Sequence, residues 1–159
     1  MRELILLRHA HAVPAGAGQA DLDRPLSPEG LAEAEAAGRW LEENGLVPDC
    51  VLCSPARRTR ETLEAVLGVI GYVDQRLEDA IYEATPGTLI GLADMHRECD
   101  RVLLVGHNPG LERLAALLHS GQSGEYRGMP PGSVAVLAFN DDDAPIEPGN
   151  ARLAAFWWP

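Results

Sequence analysis

Long hydrophobic runs, cysteine and positive charge are all scarce in this chain of 159 residues. Its apolar runs are far shorter than the roughly 20 residues of a membrane-spanning helix, and no basic segment precedes an apolar one as in a secretory signal. The three cysteines are an odd number and fall in predicted strands and helices, which agrees with a reducing compartment. We therefore expect a cytoplasmic protein that does not associate with membranes.

Positive charge is outweighed, because 13 Lys+Arg face 24 Asp+Glu and give a formal net charge of −11. A field of this sign repels a nucleic-acid backbone, so nucleic acid is not an expected partner. The arginines are nevertheless concentrated in a few places: Arg57, Arg58 and Arg60 are close neighbours, and Arg8 and Arg24 lie at an early strand end and in a loop. An acidic chain with clustered arginines indicates a local pocket for an anion.

The hydrophobic pattern predicts an α/β fold. With 46% hydrophobic and 23% charged residues, the composition is that of a globular protein, and we expect residues 1–159 to form one domain. "LILL", "DCVLC" and "RVLLVG" read as strands buried on both faces, and segments with helical periodicity alternate with them. This alternation predicts a mostly parallel sheet covered on both sides.

Two of the predicted helices carry specific expectations. In the first, Ser27 is the N-cap and Pro28 occupies the first helical position. Its apolar spacing predicts a buried face formed by Leu31, Ala34, Gly38 and Leu41. A later helix is predicted over "GTLIGLADMHRE", residues 87–98.

Three predicted strands end in residues that can bind or attack an anion. These endings are Arg8-His9, Ser54 with the arginines after it, and His107-Asn108. Ligands of open α/β sheets bind beyond the carboxyl ends of the strands, so parallel neighbours would bring the endings into one crevice. Guanidinium groups bind phosphate oxygens in pairs, and a helix that starts near Arg57 adds its N-terminal dipole. A histidine among these cations is held neutral, which leaves a lone pair for nucleophilic attack.

The same segments resemble motifs of the histidine phosphatase superfamily. "LLRHAHA" resembles its Arg-His-Gly motif, with Ala10 in place of the usual glycine. "CSPARRTRET" resembles its block Ser-Pro-x-x-Arg-x-x-x-Thr, which assigns the family arginine to Arg58 rather than Arg57. "VLLVGHNPG" is similar to the block that carries the second catalytic histidine, here His107. "DRPLSPEG" and "YEATPG" resemble stretches of the SixA-like phosphohistidine phosphatases.

The resemblance implies a phosphoglycerate mutase-like fold, which is a three-layer αβα sandwich, without a large cap subdomain. It also implies a phosphatase with a covalent phosphohistidine intermediate, in which His9 is the nucleophile and Arg8, Arg58 and His107 bind the phosphoryl group. No cofactor is expected, since arginines supply the charge that a magnesium ion would otherwise supply. An open cleft favours phosphohistidine in a protein as the substrate. A small-molecule phosphatase, a phosphomutase and a non-catalytic phosphoprotein-binding module are the alternatives; the presence of both histidines argues against the last.

The remaining candidates have weaker signals. Glu83 is either the proton donor or only a loop carboxylate near the cleft, and the sequence favours neither. Arg24 and Asn108 are further candidates for substrate binding, whereas Arg57 and Arg60 are expected at the rim or on the helix surface.

His9-x-His11 has the spacing of a metal pair on one side of a strand, but no third ligand with suitable spacing accompanies it, so no metal is predicted. Cys50 and Cys53 would point to opposite faces of their strand, which indicates core thiols.

Overall fold

Strands and helices alternate along the chain in the residues that the computed structural model describes, which are 1–121 and 128–159. The strands β1 to β6 are Glu3–Arg8, Cys50–Cys53, Gln75–Leu77, Arg101–Gly106, Val134–Phe139 and Ala151–Trp157. The helices α1 to α4 are Pro28–Glu43, Arg57–Ile70, Pro86–Asp94 and Gly110–Ser120, and short 3-10 helices cover Asp21–Asp23 and Asp79–Ile81. Of the helices in this described part, none is long and apolar enough to cross a membrane.

The six strands form one sheet in the order β3-β2-β4-β1-β5-β6. Strands β3, β2, β4 and β1 are parallel neighbours, and β5 runs antiparallel to both β1 and β6. The mostly parallel sheet is therefore confirmed. Because β4 lies between β1 and β2, the carboxyl ends of these three strands are side by side at one edge of the sheet.

Both faces of the sheet are covered by helices. Along β1, Leu4 and Leu6 pack on the side of α3 and α4, whereas Ile5 and Leu7 pack on the side of α1 and α2. A strand buried on both faces reads as a continuous apolar run, which explains why the sequence shows no alternation here. The three-layer αβα sandwich is confirmed, and within residues 1–121 and 128–159 each α-helix belongs to one of its two outer layers.

Helix α1 begins as predicted but presents a different face. The Ser27 side chain accepts a hydrogen bond from the Gly30 N–H, and Pro28 is the first helical residue. Gly38 sets the rotation of the helix, because a Cβ at this position would lie 3.2 Å from the Val66 backbone of α2. The prediction for Leu31 is wrong, since this rotation leaves it 47% exposed. The buried positions of α1 are Gly30, Ala34, Ala37, Gly38 and Leu41.

Helix α3 is shorter than the predicted 87–98. It begins at Pro86 with Thr85 as its N-cap and ends at Asp94. Residues 95–98 form turns instead, and Met95 is 73% exposed. Because the apolar side chain of Met95 is exposed, it does not pack against the sheet and cannot stabilise a further helical turn.

Candidate active site

His9 directly follows β1 and is held at the carboxyl edge of the sheet by its backbone. Its N–H donates to the carbonyl oxygen of Gly106 at the end of β4, over 3.0 Å. Its carbonyl oxygen accepts a hydrogen bond from the Gly132 N–H, over 3.1 Å. Hydrogen bonds to two neighbouring segments thus fix the position of the His9 backbone, from which the imidazole projects.

The His9 imidazole is neutral and has one nitrogen with a free lone pair. Its Nδ1 lies 2.7 Å from the carbonyl oxygen of Ala10, which can only accept, so Nδ1 carries the proton. Burial, together with the positive charges of Arg58 and Arg8, lowers the pKa of His9 to about 4, although the hydrogen bond to Ala10 opposes this shift. Nε2 therefore holds a lone pair at neutral pH, as a nucleophile requires.

Ala10 stands where the related motif has glycine, and it is fully buried. Its N–H donates to the hydroxyl of Thr62 over 3.0 Å, and that hydroxyl donates to the carbonyl oxygen of Arg58 over 2.7 Å. The segment that carries His9 is thus tied to the first turns of α2.

Helix α2 presents Arg58, and not Arg57, to the site. The Arg58 side chain is only 7% exposed, whereas Arg57 is 48% exposed and pairs with Glu61. Adjacent helical residues point about 100 degrees apart, so the two arginines cannot share one direction. Nη1 and Nη2 of Arg58 donate to the backbone oxygen and the carboxylate of Asp21, over 2.8 and 3.0 Å. Its Nε is buried without a partner in the described residues.

Arg8 shows the same incomplete bonding. Its Nη1 donates to the carbonyl oxygen of Met129 over 2.7 Å, and its Nε is buried without a partner in residues 1–121 and 128–159. Burial lowers the pKa of Arg8, while the carboxylates of Glu112 and Glu33 oppose this effect. Guanidinium groups remain charged in proteins, so the unpartnered N–H is a charged donor.

His107 follows β4 and faces His9, with the two ring centroids 5.3 Å apart. Its Nε2 lies 2.7 Å from the hydroxyl oxygen of Ser54, the fully buried residue that follows β2. Burial, together with His9 and Arg58, lowers the pKa of His107 to about 3. The structure thus brings together side chains from the ends of three adjacent strands.

Unpartnered buried polar atoms are concentrated here. In the part of the chain that the structure describes, five buried side-chain nitrogen or oxygen atoms have no hydrogen-bond partner. Three of them are Arg8 Nε, Arg58 Nε and His107 Nδ1. Buried polar groups are rarely left unpaired, so such a cluster requires an explanation. Charged donors around a neutral imidazole suit a ligand with several anionic oxygens.

Arg24 and Asn108 lie beside this group and contact it indirectly. Arg24 donates to the carbonyl oxygen of Val13 and, over 3.0 Å, to the carboxylate of Asp21. Asn108 donates to the carbonyl oxygen of Met129, the same atom that accepts from Arg8. Direct contact of either side chain with a substrate stays a prediction.

Glu83 lies in an exposed position at a cleft that leads away from His107. The cleft has a volume of about 340 Å³. Its walls come from the loop before α3 and the first turns of α3 and α4, including Thr85, Pro86 and Arg113. The role of Glu83 as a proton donor stays a prediction.

Two residues of the site were missed from the sequence. The hydroxyl of Tyr82 donates to the carboxylate of Asp21. The Tyr82 ring packs edge-on against His107 at 5.5 Å, and the Arg58 guanidinium lies 5.8 Å from its centroid. The available signals were weak: Asp21 lies three residues before Arg24, and Tyr82 is the first residue of "YEATPG".

The candidate metal motifs have other roles in the structure. The ring of His11 is exposed and bonds through Nδ1 to the hydroxyl of Ser27 at the start of α1, over 2.7 Å. Cys50 and Cys53 are buried in opposite layers of the core, as predicted. Across residues 1–121 and 128–159, no group of three or more His, Cys, Asp and Glu side chains is placed to hold a metal ion.

Known proteins are similar to this chain over nearly its whole length. The model of the histidine phosphatase superfamily (branch 1) matches residues 4–99. An uncharacterised protein of Mycobacterium tuberculosis, Rv1276c, is 39% identical over 164 residues, which cover 96% of this chain and 99% of its own. The family match ends before His107, so the second histidine rests on its motif and its position facing His9.

Two solved structures share the fold closely. A protein assigned as the phosphohistidine phosphatase SixA of Agrobacterium tumefaciens has a TM-score of 0.85 and 31% identity, with 99% of each chain covered. Another, assigned as SixA of Nakamurella multipartitia, has a TM-score of 0.84 and 32% identity, with 99% of this chain and 96% of its own covered. The chain belongs to the histidine phosphatase superfamily, and its fold is that of these SixA proteins.

Proposed function

We propose that this protein hydrolyses phosphohistidine in a protein substrate, through a covalent phosphohistidine formed on its own His9. The observation that carries the proposal is the neutral His9 imidazole, with a lone pair on Nε2, beside two guanidinium groups that each have a buried Nε–H without a partner in the described residues. Phosphoryl transfer depends mainly on positioning and on stabilisation of charge, and this arrangement supplies both.

In the first step, Nε2 of His9 attacks phosphorus in line with the leaving group. A bond forms between phosphorus and Nε2 while the bond between phosphorus and the substrate imidazole breaks, and its electron pair goes to the departing nitrogen. Arg8, Arg58 and His107 donate hydrogen bonds to the equatorial oxygens. The phosphorylated ring of His9 keeps its proton on Nδ1, where the Ala10 carbonyl oxygen stabilises the positive ring.

In the second step, water hydrolyses the intermediate. Its oxygen bonds to phosphorus, the bond to Nε2 breaks, and the electron pair returns to the imidazole, which is neutral again. The proton from water remains on inorganic phosphate or passes to solvent. The net reaction converts a phosphohistidine and water into histidine and phosphate, with His9 regenerated.

The demand for a proton donor depends on the leaving group. An imidazole that carries a proton on its other nitrogen leaves as a neutral molecule, whereas an alkoxide must be protonated as it departs. Glu83 lies in the cleft beside His107, on an exposed loop. We therefore expect Glu83→Gln to reduce turnover of an alkyl phosphate about tenfold or more, and turnover of phosphohistidine by less than about threefold.

The openness of the site supports a protein substrate. Each described α-helix packs against the sheet, so in residues 1–121 and 128–159 no subdomain covers the carboxyl ends of the strands. The names of the SixA structures support phosphohistidine as the group that is removed.

The test is a comparison of substrates under one set of conditions. We expect kcat/KM for a phosphohistidine-bearing protein to exceed that for a sugar phosphate and for an aryl phosphate by about tenfold or more, with His9→Ala as the inactive control. A higher value for the sugar phosphate would replace the proposal by a small-molecule phosphatase. Transfer of the phosphoryl group to a second metabolite instead of water would indicate a phosphomutase. Binding of the phosphoprotein without release of phosphate would indicate a binding module.

A further inference from the structure

The carboxylate of Asp21 connects three side chains from separate parts of the chain. It lies in the 3-10 helix Asp21–Asp23, in the loop between β1 and α1. One of its oxygens accepts from Arg24, and the other accepts from both Arg58 and the Tyr82 hydroxyl. These hydrogen bonds, that of Tyr82 first, hold the pKa of Asp21 far below its ordinary value, so the group is ionised.

Asp21 leaves a defined part of the Arg58 guanidinium free. An arginine has five N–H donors, one on Nε and two on each terminal nitrogen. Asp21 takes one from Nη1, through its backbone oxygen, and one from Nη2, through its carboxylate. Within residues 1–121 and 128–159 the Nε–H has no partner, and Nε with one terminal nitrogen makes the fork that binds two oxygens of a phosphoryl group.

Tyr82 extends this arrangement to the second histidine. Its hydroxyl donates to Asp21, its ring centroid lies 5.8 Å from the Arg58 guanidinium, and its ring is perpendicular to that of His107, with the two centroids 5.5 Å apart. One side chain thus contacts the Asp21 carboxylate, the Arg58 guanidinium and His107.

We propose that Asp21 and Tyr82 are positioning residues that set the direction of the Arg58 fork toward the phosphoryl group. The inference rests on the proposed function, because Arg58 acts there on the equatorial oxygens. It also explains why a buried arginine carries a partnerless Nε. Asp21 accepts hydrogen bonds from both terminal nitrogens, so the guanidinium cannot rotate to give Nε a partner without losing both of these bonds.

The test is a double-mutant cycle between Asp21 and Arg58. We expect Asp21→Ala to lower kcat/KM about 30-fold in the wild-type background and less than about twofold in the Arg58→Ala background, since a positioning residue has nothing left to position there. Asp21→Ala keeps only the backbone acceptor, whereas Asp21→Asn also keeps a side-chain oxygen, so Asp21→Asn should recover part of the loss. Asp23→Ala is the matched control, because this exposed carboxylate on the same 3-10 helix is not among the contacts of the site.

A second cycle measures binding of tungstate, a tetrahedral oxyanion, by calorimetry and needs no turnover. Asp21→Ala should weaken tungstate about tenfold in the wild-type background and hardly at all beside Arg58→Ala, and Tyr82→Phe should weaken it about threefold. If the enzyme acts on another substrate, this cycle still shows the coupling, so failure of the proposed function and failure of the inference are distinguishable.

Equal losses in the two backgrounds would overturn the inference, because they would show that Asp21 merely holds the loop in place. Unchanged kcat/KM and tungstate affinity in Asp21→Ala would also overturn it. Thermal unfolding verifies that each variant is folded, and Asp21→Asn replaces Asp21→Ala in both cycles if the latter does not fold.

Discussion

The two edges of the parallel sheet hold arginines in opposite ways. At the edge where the strands begin, Arg101 uses all three of its nitrogens: Nε and Nη2 donate to Glu3 over 2.9 and 2.6 Å, and Nη1 donates to the carbonyl oxygen of Val47 over 3.1 Å. At the edge where the strands end, Arg8 and Arg58 each bury an Nε that has no partner in the described residues.

The more buried of these arginines makes hydrogen bonds with fewer of its nitrogen atoms. The Arg58 side chain is 7% exposed and that of Arg101 is 24% exposed, so the more buried guanidinium is the less satisfied one. A structural arginine completes its fork within the fold, whereas an arginine reserved for a ligand leaves part of the fork open. Incomplete bonding of a buried cation is therefore a better indicator of a site than burial or charge alone.

The largest effect is expected from the adjacent arginines of α2. Arg58→Ala should lower kcat/KM about 100-fold or more, because it removes a two-pronged donor whose bonds strengthen in the transition state. Arg58→Lys should restore little, since a point charge cannot replace the fork. Arg57→Ala should change KM modestly and mainly at low salt, because its exposed side chain can only attract the substrate from a distance. Severe loss in Arg57→Ala with a mild effect in Arg58→Ala would move the site to the outer face of the helix.

A smaller effect is expected from pH. Because the pKa of His9 is lowered from 6.5 to about 4, Nε2 stays unprotonated and kcat/KM should be flat above about pH 5. Below about pH 4 it should fall about tenfold per pH unit, as protonation removes the lone pair. Arg58→Ala removes a nearby positive charge, which raises the pKa of His9, so the fall should begin at higher pH. A wild-type profile that already falls below pH 6.5 would contradict a neutral, buried nucleophile.

The same shifts make the fold sensitive to acid. His9 and His107 have lower pKa values in the folded state than the 6.5 of a free histidine, so the unfolded chain binds protons that the folded chain does not. Their contribution to the free energy of unfolding is therefore present above about pH 6.5 and decreases as the pH falls toward about 4 for His9 and about 3 for His107. Denaturant unfolding at pH 7 and pH 5 should show a lower midpoint at pH 5 for the wild type and a smaller decrease for His107→Ala.

The smallest effect on activity is expected at the opposite edge of the sheet. Arg101→Ala should lower the free energy of unfolding by about 1 kcal/mol, because its hydrogen bonds to Glu3 are partly shielded from solvent. It should leave kcat/KM within about twofold of the wild type, since Arg101 is at the far end of β4. Denaturant titration and steady-state kinetics on the same preparation separate the two effects. Loss of activity without loss of stability would contradict the assignment of a structural role to this edge and of catalysis to the opposite edge.

The sequence predicts the sheet and the residues at its strand ends because both depend on local patterns. The unbroken apolar run before Arg8 follows from a strand covered on both faces. The assignment of Arg58 over Arg57 follows from motif spacing, and the burial of Arg58 agrees with it. Leu31 was predicted inward wrongly, because the rotation of α1 depends on the close approach of Gly38 to Val66, which periodicity does not contain.

Asp21 and Tyr82 could not be predicted for a similar reason. They lie 61 residues apart in the chain and meet through a single hydrogen bond across the site. An aspartate in a loop and a tyrosine after a short strand have many ordinary roles. Their role becomes visible only in the structure, where both side chains contact Arg58.

The most direct test of the account is to trap the intermediate on His9. The protein is mixed with a labelled phosphodonor, quenched in alkali, in which phosphohistidine survives, and mapped by peptide analysis. We expect label on the peptide that contains His9 and none on the corresponding peptide of His9→Ala, together with loss of turnover by about 1,000-fold or more in that variant. Near-normal turnover in His9→Ala, or label on another residue, would contradict the covalent mechanism.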